Sequence, residues 1–169
     1  MKRLFLAALL STLFQLSSSA QVNSHAIGAR LGGGIWGQGA ELSYQMGLGQ
    51  ANRLELDLGW RFGKFDDNGI GNDYSHIVLS GIYHWVWNIT DALNWYAGPG
   101  AQIGMWNYKS DIYEDGFTVG IGGQIGIEYD FNGLGAPILL SLDSRPMWGL
   151  LGPGLRFGYG GALGIRYTF

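Results

Sequence analysis

The sequence predicts an all-β fold, with eight antiparallel strands joined up-and-down and closed into a transmembrane β-barrel. Three observations lead there. The chain opens on a segment with the layout of an export signal. The remainder has no apolar run long enough for a spanning helix, but it alternates with period two over long stretches. The non-oily faces of those stretches collect ions and glycine.

Composition sets the outer limits. The chain has 169 residues, 30 glycines and no cysteine, and 14% of its residues are aromatic. Only 14% are charged, below the roughly 25% of an ordinary soluble domain. Without cysteine there is no disulfide scaffold, no thiolate metal site and no lipid anchor on a processed cysteine. The aromatic and β-branched content excludes a disordered chain, and the glycines follow no collagen-like period. The formal charge is −3 and no basic cluster occurs, which argues against nucleic acid as a partner. No cofactor and no metal centre are expected.

The chain divides at Ala20. Lys2 and Arg3 precede an apolar stretch from Leu4 to Leu16, broken only by Ser11, Thr12 and Gln15. Ser17, Ser18, Ser19 and Ala20 then supply small residues at a cleavage site. This is the three-part order of a secretory signal peptide, and the apolar part is too short to span a bilayer. Residues 1–20 are therefore assigned as the signal and 21–169 as the barrel domain.

Eight strands follow, at about 26–35, 40–46, 53–64, 75–88, 93–107, 117–131, 137–145 and 155–169. The third shows the pattern most plainly. Leu54, Leu56, Leu58, Trp60 and Phe62 share one face, and Arg53, Glu55, Asp57, Gly59 and Arg61 share the other. The sixth and eighth repeat it, with Ile121, Ile125 and Ile127 against Gly122, Gln124 and Glu128, and with Leu163 and Ile165 against Gly164 and Arg166. Successive strand side chains point to opposite faces, so each segment has one oily face and one polar or tiny face. A soluble antiparallel sheet also alternates. Its strands usually have about 5–6 residues, however, and these are longer. Within hydrocarbon only helices and closed barrels satisfy every backbone amide, so closure follows from insertion.

The connectors are turn-rich at Gly47 to Asn52, Ile89 to Ala92 and Asn132 to Ala136. Those at Phe65 to Tyr74, Lys109 to Gly116 and Met147 to Gly154 are longer, and that at Trp36 to Gly39 is short. An even strand number and short inner turns put both termini on the periplasmic side. The aromatics then separate into two rings. Tyr44, Trp85, Trp87, Trp95, Tyr129, Phe131, Tyr167 and Phe169 fall near the periplasmic boundary. Trp36, Trp60, Phe62, Trp106, Phe117, Trp148, Phe157 and Tyr159 fall near the outer one. Amphipathic rings sit well at headgroup level, and two such girdles are what a bilayer favours.

Parity places Arg30, Glu41, Arg53, Glu55, Asp57, Arg61, Glu128, Asp130, Asp143, Arg145, Arg156 and Arg166 inside, as six acids and six arginines. The interior of an eight-stranded barrel is just wide enough for its own side chains. Buried charges must be paired or stay wetted. The balanced set predicts an internal salt-bridge network, with arginine suited to it by its planar fork. Inward glycines, among them Gly120, Gly122, Gly158, Gly160 and Gly164, leave room for the arginines and for Gln102 and Gln124. The same space allows a second reading, a narrow passive path for water, ions or small solutes.

Leu163, Ile165, Tyr167 and a terminal Phe169 alternate at the C-terminus. They resemble the terminal signature by which Gram-negative outer-membrane barrels are recognised for assembly. The whole chain after the signal resembles the small eight-stranded OmpA/OmpX-type barrels. The Tyr-Ala-Gly-Pro-Gly-Ala stretch at 96–101 and Leu-Ser-Leu-Asp at 140–143 are similar to the broad outer-membrane β-barrel domain families. The resemblance implies an outer-membrane protein, a monomer, whose partners are outer-membrane lipid, lipopolysaccharide and the assembly machinery. It implies a structural or surface-interaction role and no enzymatic activity. Nothing follows the barrel, so the peptidoglycan-binding domain of some members is expected to be absent. Pro99, inside the fifth strand, lacks an amide donor and predicts a bulge or bend there.

Some small outer-membrane barrels are lipid A deacylases or acyltransferases that use Ser, His and an acid near the outer surface. Asp73, Ser75 and His76 lie together in that region and form a candidate of this type. Against it, the chain has no His-x-Ser-Asn stretch of the deacylase kind and no amphipathic helix before the first strand. Asp66, Asp67, Asn68 and Asp73 form one acidic outer loop, and Asp111, Glu114 and Asp115 another. Their oxygens suit Ca²⁺ or Mg²⁺, yet the spacing matches no defined calcium loop, and the simpler expectation is a solvated charged loop.

Overall fold

A computed structural model describes residues 22–35, 37–67, 70–109, 116–152 and 157–169. Residues 1–20, expected to be a signal peptide, and Trp36, Asn68, Asp111, Glu114, Asp115 and Arg156 lie outside the described residues. The strands are β1 (His25–Gly34), β2 (Gly37–Gly47), β3 (Asn52–Asp67), β4 (Ile70–Asn88), β5 (Leu93–Tyr108), β6 (Gly116–Asp130), β7 (Ile138–Ser144), β8 (Met147–Leu151), β9 (Phe157–Gly158) and β10 (Gly160–Thr168). Every pairing between them is antiparallel.

The ladder closes on itself. Neighbours pair in chain order from β1 to β6, β6 pairs with β7 and β8, and β10 pairs with both β7 and β1. β7 with β8, and β9 with β10, each make one wall strand with a break in it, so the barrel is eight-stranded. The break after β7 falls at Arg145 and Pro146. Proline brings no amide hydrogen to a ladder, and β6 changes partner there from β7 to β8.

Alternation decides which side chains face out. Leu54, Leu56, Leu58, Trp60 and Phe62 of β3 face outward, while Arg53, Glu55 and Asp57 between them are buried. Ile77 and Leu79 of β4, Ile121, Ile125 and Ile127 of β6 and Leu163 and Ile165 of β10 continue an apolar belt around the wall. The charged interior and oily exterior invert the arrangement of a soluble protein. This is the section a transmembrane barrel needs, since hydrocarbon replaces water at its surface. Among the described residues no helix is long and apolar enough to cross a membrane.

Several features differ from the sequence expectation. The connector expected at Phe65 to Tyr74 is instead a long hairpin, with Lys64 opposite Asp73 and Asp66 opposite Gly71. Asp66, Asp67 and Asp73 therefore belong to strands, because backbone pairing continues beyond the apolar pattern. Residues Met147–Leu151 are likewise strand rather than loop. Pro99 produces no bulge. It sits opposite Gly123, and the β4–β5 register is the same on either side of Gly98–Pro99, although pairing lapses there. Trp106 is not part of the outer girdle. It shares its parity with the inward Gln102, is buried, and stacks on His76 with ring centroids 4.3 Å apart. The remaining described girdle aromatics project outward. Trp87 stacks on Trp95 at one end, and Trp148 packs near Phe157 at the other.

Candidate functional site in the barrel lumen

The middle of the lumen is crossed by ions, with apolar side chains such as Ile82, Val86 and Tyr96 buried beside them. Glu55, fully buried on β3, is the hub. Its carboxylate accepts hydrogen bonds from Arg166 of β10 (2.9 Å), Arg145 at the kink (3.2 Å), Gln45 of β2 (2.6 Å) and Gln124 of β6 (3.1 Å). β10 and β3 are separated in the wall by β1 and β2, so the Arg166–Glu55 pair bridges the interior. Arg145 also donates to Asp57, and to Glu41 at 3.3 Å. Its Nε and Nη2 both reach the Gln124 amide oxygen, at 3.1 and 2.9 Å.

Arg30 of β1 stands opposite Glu41 of β2 in register and donates both to it and to Asp143 of β7. Asp57 lies 3.6 Å from Arg30, and Asp143 takes a further hydrogen bond from the Tyr96 hydroxyl at 3.2 Å. Arg61, nearer the end of the barrel remote from the termini, closes the set by donating to Glu41. Four arginines and four carboxylates thus form one connected network across the middle. Burying ions costs several kcal/mol each unless geometry and extra hydrogen bonds compensate, and each of these groups has opposite charge within reach. Arg166 is further held by the Ser43 and Ser141 hydroxyls, each at 2.9 Å.

A second pair lies toward the termini. Arg53 meets Glu128 at 2.7 Å, donates to His84 Nδ1 at 3.3 Å and stacks over the Tyr96 ring at 4.7 Å. Asp130 does not join the arginines. It sits at the rim, where Asn23 and Asn132 donate to it, because β6 ends there. Arg156 lies outside the described residues. Tyr167 and Phe169 are on the outer face, and Phe169 is tied back by its amide to the His25 carbonyl at 3.0 Å.

Glycine provides the space. A Cβ at Gly164 would come within 2.9 Å of Arg166 Nη1, one at Gly126 within 2.7 Å of Tyr96, and one at Gly59 within 2.9 Å of Glu41. Gly37 has a second requirement, since its φ of 92° at the β1–β2 turn is one that side chains disfavour.

The Asp73, Ser75, His76 cluster does not assemble. Asp73 and Ser75 point outward from β4 while His76 points inward and is 1% exposed, so strand parity keeps serine and histidine apart. Asp73 instead has Lys64 and Lys109 at 4.0 and 3.7 Å. Among the described residues no group of His, Asp or Glu side chains is arranged to hold a metal ion. The sequence reading, which took His76 for a mouth residue and Trp106 for a girdle residue, missed the bulky inward cluster they form with Tyr74 and Met147 on the remote half. The parity of β4 and β5 is the signal that marks all but Met147.

No family model matches the chain, and no curated protein matches it. Solved structures do. Neisserial surface protein A (NspA) superposes with a TM-score of 0.63 at 13% identity, over 86% of this chain and 96% of that one. The N-terminal β-barrel domain of Pseudomonas aeruginosa OprF gives 0.56 at 20% identity, over 87% and 98%. The outer membrane protein Ail of Yersinia pestis, in a phospholipid bilayer nanodisc, gives 0.54 at 12% identity, over 88% and 100%. The fold is that of the small eight-stranded outer-membrane barrels. With that fold and an apolar belt facing outward, the barrel wall is built to be surrounded by lipid.

Proposed function

We propose that the protein is an integral outer-membrane barrel of a Gram-negative bacterium, structural or surface-interacting in role, whose lumen is plugged by its own ions. One observation carries this reading: arginines and carboxylates from facing walls meet across the lumen, with Glu55 bonded to Arg166, Arg145, Gln45 and Gln124. A paired network of this kind fixes the wall strands and blocks solute passage. Planar-bilayer recording tests it. The plugged barrel gives no stable unitary current, whereas steady unitary currents support the narrow channel instead. Lipid A modification has little support from a serine and a histidine on opposite faces, and mass spectrometry of lipid A with and without expression provides the check.

The belt and girdles suit outer-membrane lipid and lipopolysaccharide as surroundings, and the barrel functions as a monomer. Tyr167 and Phe169 form the signal read by the assembly machinery. Deleting Phe169 lowers the amount of inserted barrel in cells, measured by heat-modifiable gel mobility of membrane fractions. Normal insertion of that variant contradicts the assignment.

A further inference from the structure

Strand register brings three buried oxygens together on one side of the lumen. Asp57 of β3 stands opposite Ser80 of β4, and Ser80 stands opposite Gln102 of β5. All three side chains are buried, none more than 5% exposed. Each leaves one oxygen without a hydrogen-bond partner: Asp57 Oδ1, Ser80 Oγ and Gln102 Oε1. The other carboxylate oxygen of Asp57 is held by Arg145. Gly120 of β6 faces Gln102 and gives that side chain its room, since a Cβ there would come within 3.2 Å of it. A buried unpaired polar group is costly, and three of them in one row of neighbouring strands point to one shared partner.

The chemistry of the row defines that partner. The carboxylate and the amide oxygen only accept, whereas the hydroxyl also donates. The partner therefore donates twice and accepts once, which a water molecule does and a metal ion does not. Charge also disfavours a cation, because Arg145 bonds to Asp57 and Arg30 lies 3.6 Å from it. The spacing agrees. Facing side chains of adjacent strands stand about 4.5–5.5 Å apart at Cβ, close to the separation of two oxygens bridged by one water. Buried waters in proteins make about three hydrogen bonds each.

We infer that Asp57, Ser80 and Gln102 are the binding site of a fixed internal water, which ties β3, β4 and β5 to the ion network. The molecule reaches the site from the end remote from the termini. Gln102 also lines a cavity of about 40 Å³ on that side, with Arg30, Arg61 and Glu41, and this is room for roughly two or three further waters. Toward the termini the next inward residue of β4 is Ile82, which is fully buried. Its Cγ1 lies 2.6 Å from where a Cβ of Gly100 would stand, and it closes that side. The site depends on strand register alone, so it goes beyond the structural role and holds whether or not the barrel conducts.

A crystal structure of the detergent-solubilised barrel, at a resolution that shows ordered solvent, tests the site directly. One peak is expected about 2.7–3.0 Å from all three oxygens. An empty site, a direct bond between Ser80 and Gln102, or a peak at the roughly 2.4 Å of a metal ion overturns the inference. Urea unfolding in phospholipid vesicles adds a test by sign. Ser80→Ala and Gln102→Leu each remove one bond to the water, so each lowers the folding equilibrium constant about fivefold. The double variant loses no more than the worse single one, because both lose the same molecule. In a dry site each substitution instead deletes an unpaired polar atom and raises stability. A rise or no change for Ser80→Ala, which removes a single oxygen and leaves the wall intact, overturns the inference, and so do fully additive losses in the double variant.

Discussion

Glu55 shows what a single residue does in an inverted core. It is an acid with no exposure, placed where four donors converge. Glu55→Gln preserves its size and removes its charge, leaving Arg166 without the carboxylate it pairs with. Breaking a buried pair from one side costs about 3–5 kcal/mol, and urea unfolding in phospholipid vesicles should read a loss of that size. Gly164→Leu acts by volume, since its first carbon already meets Ser141 Oγ, Arg166 Nη1 and Arg30 Cγ at 2.5, 2.9 and 3.3 Å. Overpacking of this kind costs about 1–3 kcal/mol in the same assay. Sequence parity alone placed most of these residues on the inner face, because a strand leaves only two choices. It did not say who pairs with whom. Arg166 reaches Glu55 because β1 and β2 curve round between them, and that distance is set by closure. Nor did it separate Asp130, which has the right parity but is the last residue of β6, two residues past Glu128 and at the rim.

The strand is the scale at which membrane and lumen are sorted. On β3 the outward Leu58 is 52% exposed, near the middle of the strand. Leu58→Arg sets a cation in hydrocarbon and should cost about 2–4 kcal/mol in vesicle unfolding, while unchanged stability contradicts the assigned face. The alternation of β3 and β6 was legible because apolar and ionic residues trade places at every step. The break in the wall at Arg145–Pro146 was not, since Met-Trp-Gly-Leu-Leu after it carries no clear period. Its strand form comes from pairing with β6, a contact distant in sequence. The Asp-rich tip between β3 and β4 misled for the opposite reason. Its residues favour turns, yet the ladder extends to Asp67 opposite Ile70.

For the whole molecule, closure turns local alternation into an inside and an outside. β1 pairs with β10 through nine residue pairs from Ala26–Thr168 to Gly34–Gly160, so the wall presents no long free edge. The charge network then lies in the narrow space enclosed by the ring, and the oily residues have nowhere to go but lipid. The most direct measurement is a nitroxide scan along β3, from residue 53 to 62, in phospholipid vesicles. The chain has no cysteine, so each introduced label is unique. Collision with oxygen, which concentrates in lipid, should peak at positions 54, 56, 58, 60 and 62 and fall at 53, 55, 57, 59 and 61. A profile without that alternation, or labels at 54 to 60 relaxed mainly by a water-soluble agent, contradicts a barrel with lipid outside and ions within.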